Sequence, residues 1–208
     1  MGFLTIENEC ISELLIQKSR FISFLFPCAN VLAFNERVKN IKKEYYDATH
    51  IVPAYRILSE NNQVKEHFSD DREPAKTAGW PLLYILQQKS LIQIGVIVVR
   101  YFGGIKLGTS GLQKAYSESL LNALTKANII DYQKEFLLRI SINAEKEYLW
   151  HEFIKNNNLL SKINIKKSSY INKDNKLELV LELKTSESVL SFLKENIGNK
   201  NLDIKIEL

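Results

Sequence analysis

The sequence lacks the features that mark secreted, membrane and zinc-binding proteins. Its two cysteines, Cys10 and Cys28, form neither a CxxC pair nor a zinc-ligand spacing. No apolar run approaches the roughly 18 residues of a membrane-spanning helix. The N-terminal segment MGFLTIENEC carries acids but no basic stretch of the kind that opens a signal peptide. We therefore expect a cytoplasmic protein with reduced thiols and no membrane contact.

Overall charge and histidine content also give little indication of function. The formal net charge of +4 is too small to identify a nucleic-acid-binding protein without a local cluster. The histidines, His50, His67 and His151, are scattered and share no metal-ligand spacing. The sequence thus predicts no metal site and no cofactor.

Residues 133–208 have the more regular pattern of the two halves of the chain. Several segments alternate apolar and polar residues as strands do, and two have the spacing of amphipathic helices. The order is βαββαβ, which predicts a ferredoxin-like domain. The residues predicted to face its core are Phe136, Leu138, Ile140, Ile142, Tyr148, Leu149, Phe153, Val189, Leu190, Leu193, Ile197, Leu202, Ile204, Ile206 and Leu208, with Trp150 as a further candidate; a turn is predicted at 172–175, and Gly198 ends the second helix.

Residues 1–130 form a different unit of strands and helices. Asn30 is the predicted N-cap of an amphipathic helix. Pro53 places the strand over 50–58 at a sheet edge or a bulge, and Pro81 suits the first position of a helix. A further helix is predicted over 112–127. Together the two halves predict an α+β protein of two domains, which we expect to be a monomer.

The stretch VVRYFGGIKLGTSGLQKAY, residues 98–116, predicts a strand, a glycine-rich loop and a helix. Free N–H groups at a helix start attract anions, and glycines allow a ligand to approach the backbone. The loop has no acid, but Thr109 stands where a P-loop has its lysine. An anion site and a tight turn with ordinary capping are both open. The candidate anion- or nucleic-acid-binding residues are Arg100, Tyr101, Gly103, Gly104, Lys106, Gly108, Gly111 and Lys114.

A second loop, SDDREPAKTAGWP, concentrates acids at Asp70, Asp71 and Glu73. Paired carboxylates can bind Mg²⁺ or transfer protons. They can equally cap the following turn and neutralise Arg100 or Lys106, and we favour this structural interpretation. No nucleophile–base pair accompanies them, so we predict no catalytic residues and favour a protein that is not an enzyme.

The C-terminal half contains a basic patch of its own. It consists of Lys162, Lys166, Lys167, Lys173 and Lys176 on one predicted hairpin. Such a patch can bind phosphate backbones, but lysines on a strand edge also deter aggregation. Both interpretations are open.

Four motifs, KSRFI, DATHIVPAYR, SDDREPAKTAGWPLL and the glycine-rich stretch, span most of residues 17–120. They resemble the IMPACT family in its bacterial, YigZ-like branch. The resemblance implies an N-terminal domain like the second domain of a small-subunit ribosomal protein, followed by a ferredoxin-like domain. It also implies a polar cluster at His50, Arg56, Asp70, Asp71, Glu73, Thr77 and Gly79, together with Arg100, Tyr101, Lys106, Gly103, Gly104, Gly108 and Gly111 of the glycine-rich stretch. Arg72, Lys76 and Ser110 replace glycines usual in the family.

Eukaryotic members of that family regulate translation under stress by competing for an activator of an initiation-factor kinase, a kinase that bacteria lack. The resemblance therefore implies a non-enzymatic binding protein that contacts RNA, the ribosome or a translation factor through a mixed-charge, glycine-rich cleft. Two alternatives stay open. One is a metal-dependent enzyme acting on a phosphorylated small molecule or nucleotide, with Asp70 and Asp71 holding the metal. The other is a protein–protein adaptor without nucleic acid.

Overall fold

The computed structural model describes residues 2–59, 61–173, 176–197 and 204–207. For residues 197 and 204–207 it describes the backbone only. The chain divides into two compact units, Met1–Tyr132 and Gln133–Leu208. Both units combine helices with antiparallel sheet, which confirms a mixed α+β protein. No helix in the described part of the chain is long and apolar enough to cross a membrane.

The first unit is built around a five-stranded antiparallel sheet in the order β2-β3-β6-β4-β5. A two-stranded sheet of β1 and β7 joins the two ends of the unit. The elements are β1 Leu4–Ile6, β2 Cys10–Ile16, β3 Ser19–Pro27, α1 Val31–Glu44, β4 His50–Leu58, β5 Val64–Phe68, α2 Gly79–Gln88, β6 Ile94–Tyr101, α3 Gly108–Leu124 and β7 Ile129–Asp131.

Helices cover both faces of this sheet. Because successive strand residues point to opposite faces, β3 sends Phe21 and Leu25 into a core with α2 and α3, and Phe24 into a core with α1. Helix α1 begins after Asn30, whose side chain accepts a hydrogen bond from Ala33 N at 2.9 Å. The N-cap predicted at Asn30 is confirmed.

Three features of the first unit differ from the sequence prediction: the position of Pro53 in the sheet and the first residues of α2 and α3. Strand β4 lies between β6 and β5, so Pro53 is not on an edge strand. The β4–β5 register ends at Ala54 and Phe68, and the Pro53 carbonyl accepts from Ser69 N just beyond it, so Pro53 lies past the last residue pair of these two strands. Helix α2 begins two residues before Pro81 because the Asp70 carboxylate caps the chain at Ala78 and Gly79. Helix α3 begins at Gly108, four residues before the predicted start.

The second unit has the sheet order β11-β8-β10-β9, with all neighbours antiparallel. Helices α4 and α5 pack on one face, over a core that includes Leu138, Ile140 and Leu181. The elements are β8 Glu135–Asn143, a 3₁₀ turn Ala144–Lys146, α4 Glu147–Asn156, β9 Ile163–Lys173, β10 Lys176–Ser186, α5 Glu187–Ile197 and β11 Ile204–Glu207.

Helix α4 buries the predicted residues Phe153 and Trp150, but the prediction for Tyr148 is wrong. Trp150, Phe153 and Ile154 are buried, whereas Tyr148 is 64% exposed. The buried set follows the i, i+3, i+4 spacing of one helix face, and Tyr148 falls outside that face. The predicted turn residues 174 and 175, together with Gly198, Leu202 and Leu208, lie outside the described residues, as do the side chains of Ile197, Ile204 and Ile206.

Candidate functional site: a glycine-rich loop with basic neighbours

One end of the five-stranded sheet gathers the predicted motifs of the first unit. The β2–β3 turn, the start of β4 and the end of β6 all lie there, because Arg20 pairs with Tyr101 and His50 with Arg100 in the strand registers. Gln17 and Lys18 form the turn with φ of 43° and 66°, as two-residue hairpins require. The sheet thus brings KSRFI, DATHIVPAYR and the glycine-rich stretch to one place.

Two carboxylates of the acidic loop are engaged by backbone. Asp70 accepts hydrogen bonds from Lys76 N at 2.8 Å, Ala78 N at 3.0 Å and Gly79 N at 2.8 Å, which caps α2 where its dipole favours negative charge. Asp71 accepts from Ile51 N at 2.7 Å and so fastens the loop to β4. Both residues therefore have structural roles.

The third carboxylate, Glu73, lies at the centre of a buried polar cluster. Its Oε1 accepts hydrogen bonds from Arg100 Nη1 at 2.6 Å and from the Tyr116 hydroxyl at 2.8 Å. His50 Nε2 lies 3.7 Å from the same oxygen, while His50 Nδ1 hydrogen-bonds the carbonyl of Asp71 at 2.8 Å. Burial raises the pKa of the Tyr116 phenol, and the nearby Glu73 charge raises it further. Tyr116 therefore stays a neutral donor to this carboxylate.

Arg100 is an interior residue with two aromatic neighbours. It is only 4% exposed, and its guanidinium carbon lies over the ring of Phe21 at 5.4 Å and over that of Phe102 at 5.6 Å. Its Nη2 donates to Ser19 Oγ at 3.4 Å, and its Nε has no hydrogen-bond partner among the residues that the structure describes. The Arg100 side chain is therefore held in the interior by these contacts. The sequence predicted an anion-binding arginine, which would have to reach solvent, and Arg100 does not.

The glycines shape the loop between β6 and α3 in two ways. A Cβ on Gly103 would lie 2.0 Å from the backbone carbonyl of Lys18, so this position requires glycine for close approach. Gly104 and Gly108 have φ of +86° and +71°, a backbone region that favours glycine. Gly103 N also donates to Ser19 Oγ at 3.2 Å. The loop is thus pinned to the β2–β3 turn.

Exposed basic side chains lie around this loop, together with the exposed apolar side chains of Phe102 and Ile105. The described residues offer no carboxylate partner to Lys18, Arg72, Lys76 or Lys106, and Lys114 lies 3.8 Å from Glu118. The acidic loop contacts helix α3, because Gln113 Nε2 on that helix donates to the carbonyl of Lys76 at 3.2 Å. We call Lys18, Arg72, Lys76, Lys106 and Lys114 the basic rim.

Two members of the basic rim occupy strained backbone positions. Arg72 and Lys76 have φ of 68° and 60°, where a glycine would be unstrained. These are two of the positions at which the sequence departs from the usual glycines. The departure therefore adds charge at some conformational cost.

Several predicted site residues lie elsewhere. Arg56 pairs with Glu66 at 2.7 Å, several residues along β4 from His50. Tyr101 packs on the α1 face and donates to Asp47 at 2.8 Å. Thr77 is buried and donates to the carbonyl of Pro74, and Gly79 lies where a Cβ would be 2.5 Å from Ser69 O. These residues support the loops and lie outside the Glu73 cluster.

Sequence reasoning missed four residues at this site: Lys18, Ser19, Phe102 and Tyr116. All four lie within the quoted motifs, yet none has a residue type that suggests a role by itself. Only the strand registers and helix packing show which of them face the loop.

In the second unit, the strand register places an acid beside one lysine of the predicted basic patch. Lys167 pairs in register with Glu182, and Lys173 with Lys176. A β-bulge between Glu182 and Leu183 disturbs the register near Lys166. Lys162 precedes β9, where its carbonyl accepts from Thr185. The patch is thus less uniformly basic than predicted.

No set of three or more His, Cys, Asp and Glu side chains in the described ranges is arranged to hold a metal ion. Burial raises the pKa of the Cys28 thiol, so it favours the neutral form.

The comparisons with known proteins agree with these motifs. Residues 17–124, just over half of the chain, match the Impact N-terminal domain. The chain belongs to the IMPACT family. It is 32% identical over 204 residues to the IMPACT family member YvyE of Bacillus subtilis, covering 98% of this chain and 90% of that protein. It is 42% identical over 109 residues to the IMPACT family member YigZ of Escherichia coli, covering 52% and 53% of the two chains.

A solved structure shares the arrangement over the whole length. The crystal structure of a hypothetical protein aligns with a TM-score of 0.66 at 26% identity, covering 99% of this chain and 97% of that one. The IMPACT family membership predicted from the motifs is therefore confirmed.

Proposed function

We propose that this IMPACT family protein is a non-enzymatic binding protein of translation, which contacts RNA, the ribosome or a translation factor through the glycine-rich loop and the basic rim. The observation that carries the proposal is the division of charge at the site. Asp70, Asp71 and Glu73 are bonded inside the molecule, whereas the exposed side chains beside them are cations. Such a surface attracts phosphate backbones.

The site offers less support to the enzyme alternative. A carboxylate pair that holds a metal needs free oxygen atoms facing one point. Both oxygens of Asp70 accept backbone N–H groups, and Asp71 accepts from β4. The loop chemistry therefore fits a capping role better than a metal site.

The family supports the translation context. The resemblance implies an N-terminal domain like that of a small-subunit ribosomal protein, and we extend this to the first unit as a proposal. The strand order β11-β8-β10-β9 supports a ferredoxin-like second domain. We further propose a monomeric, cytoplasmic protein of two domains, near 1–130 and 133–208, that uses no cofactor.

The experiment that tests the proposal is binding of the purified protein to RNA across a salt series. Phosphate contacts release counterions, so we expect an affinity that falls steeply as salt is raised. An absence of binding to total cellular RNA and to ribosomes at low salt, together with no translation factor captured from RNase-treated lysate, would contradict it.

A further inference from the structure

Phe102 is an exposed aromatic side chain that the structure holds in place. It is 45% exposed. Its N–H donates to Thr49 Oγ1 at 3.0 Å, and the buried Arg100 guanidinium lies 5.6 Å from its ring. The same guanidinium is bonded to Glu73, so a fixed interior charge supports the ring. These contacts restrict the ring before any partner binds, and such restriction lowers the entropic cost of an added stacking contact.

The surroundings of Phe102 indicate the charge of its partner. Phe102 precedes the Gly103–Gly104 turn, which packs directly on the backbone of Lys18, and Lys106 follows in the same loop. Both lysines are exposed. The carboxylates of the neighbouring loop are turned inward. One acid lies on this side of the molecule, the exposed Asp47, which accepts a hydrogen bond from the Tyr101 hydroxyl. An apolar ring with Lys18 and Lys106 beside it suits a ligand with flat apolar faces and negative charge.

We propose that Phe102 is a stacking platform for an unpaired RNA base, with Lys106 and Lys18 contacting the adjacent phosphates. This inference rests on the proposed RNA contact and adds its ligand class, single-stranded RNA. Aromatic rings beside a basic groove are the common means of holding single strands, because every base has a π face. Bases in a duplex are already stacked on each other, so a duplex cannot use the ring in the same way.

The test compares Phe102→Leu, Phe102→Tyr and Tyr84→Leu with the wild type. Phe102→Leu keeps an apolar side chain next to Arg100 but removes the aromatic ring, whereas Phe102→Tyr keeps an aromatic ring at this position. Tyr84 is a 49% exposed aromatic on α2, so its replacement is the matched control. Each protein is titrated with a single-stranded RNA of about 12 nucleotides and with the same strand annealed to its complement. Thermal melting checks that each variant is folded.

We expect Phe102→Leu to weaken single-strand binding by roughly 5- to 150-fold, the range that corresponds to stacking of one base. Its salt slope should stay that of the wild type, because no phosphate contact is lost. Duplex binding should not change, and Phe102→Tyr and Tyr84→Leu should bind single strands as the wild type does.

Three results would overturn the inference. If the wild type binds neither RNA, the proposed RNA contact fails along with it, and only a protein contact is left of the proposed function. If it binds RNA but Phe102→Leu weakens both RNAs equally or neither, only the stacking role fails. If Phe102→Leu keeps RNA binding but loses a protein captured from RNase-treated lysate, the ring contacts a protein partner instead.

Discussion

At the scale of single residues, Glu73 organises the interior beneath the glycine-rich loop. Arg100 and Tyr116 donate to one oxygen of its carboxylate, and the side chains of Glu73 and Arg100 are both buried. A buried charge is tolerated only when it is paired and hydrogen-bonded. The sequence predicted that an acid of this loop would neutralise Arg100, and the structure shows Glu73 in that role.

Tyr116→Phe tests this cluster through pH. The pKa of Tyr116 is raised above the value of about 10 expected in the unfolded chain. Its hydrogen bond therefore contributes fully below about pH 10, and that contribution falls as pH rises towards the folded pKa. We expect the variant to lose about 1.5–3 kcal/mol of unfolding free energy near neutral pH. The difference should shrink by up to about 1.4 kcal/mol per unit above about pH 10.

The measurement is urea unfolding of both proteins from about pH 7 to about pH 11. Tyr46→Phe serves as the control, since Tyr46 is 85% exposed and its loss should leave stability unchanged. A wild-type advantage that stays constant across the alkaline range would contradict the role given to Tyr116.

At the scale of elements, local patterns predicted most strands and helices, while contacts between distant segments decided the exceptions. Alternation in β8 and the Asn30 cap were legible because each depends on neighbours in sequence. The early start of α2 depends on the Asp70 carboxylate, which accepts a hydrogen bond from Ala78 N eight residues later in the chain. The same holds for the candidate site. The motifs predicted where the loops are, but the internal hydrogen bonds of the acids and the burial of Arg100 could be seen only from the strand registers.

Gly103→Ala and Gly104→Ala should separate close packing from backbone strain. A Cβ at Gly103 would meet Lys18 backbone at 2.0 Å, whereas one at Gly104 meets nothing within 4 Å and suffers only from its φ of +86°. We expect Gly103→Ala to lower the unfolding free energy by about 2–4 kcal/mol. Gly104→Ala should cost about 1–2 kcal/mol. Denaturant unfolding measures both, and equal losses would mean that the loop is not fixed to the β2–β3 turn.

At the scale of the whole molecule, the two compact units each contain a hydrophobic core of their own. We propose that they are independently folding domains, because a unit with its own core can fold alone. Residues 133–208 expressed alone should give a well-dispersed amide NMR spectrum and a cooperative thermal transition. A collapsed, poorly dispersed spectrum would show that the second unit needs the first.

The central claim is that the basic rim binds phosphate. It is tested most directly by Lys106→Ala and Lys126→Ala in RNA titrations across a salt series. Both variants remove one exposed lysine, but Lys126 follows the far end of α3, about 25 Å along the helix from Gly108. If the account is right, Lys106→Ala lowers RNA affinity and flattens the salt slope by about one unit, whereas Lys126→Ala matches the wild type. Affinity and slope unchanged in Lys106→Ala, in a protein that still binds RNA, would contradict it.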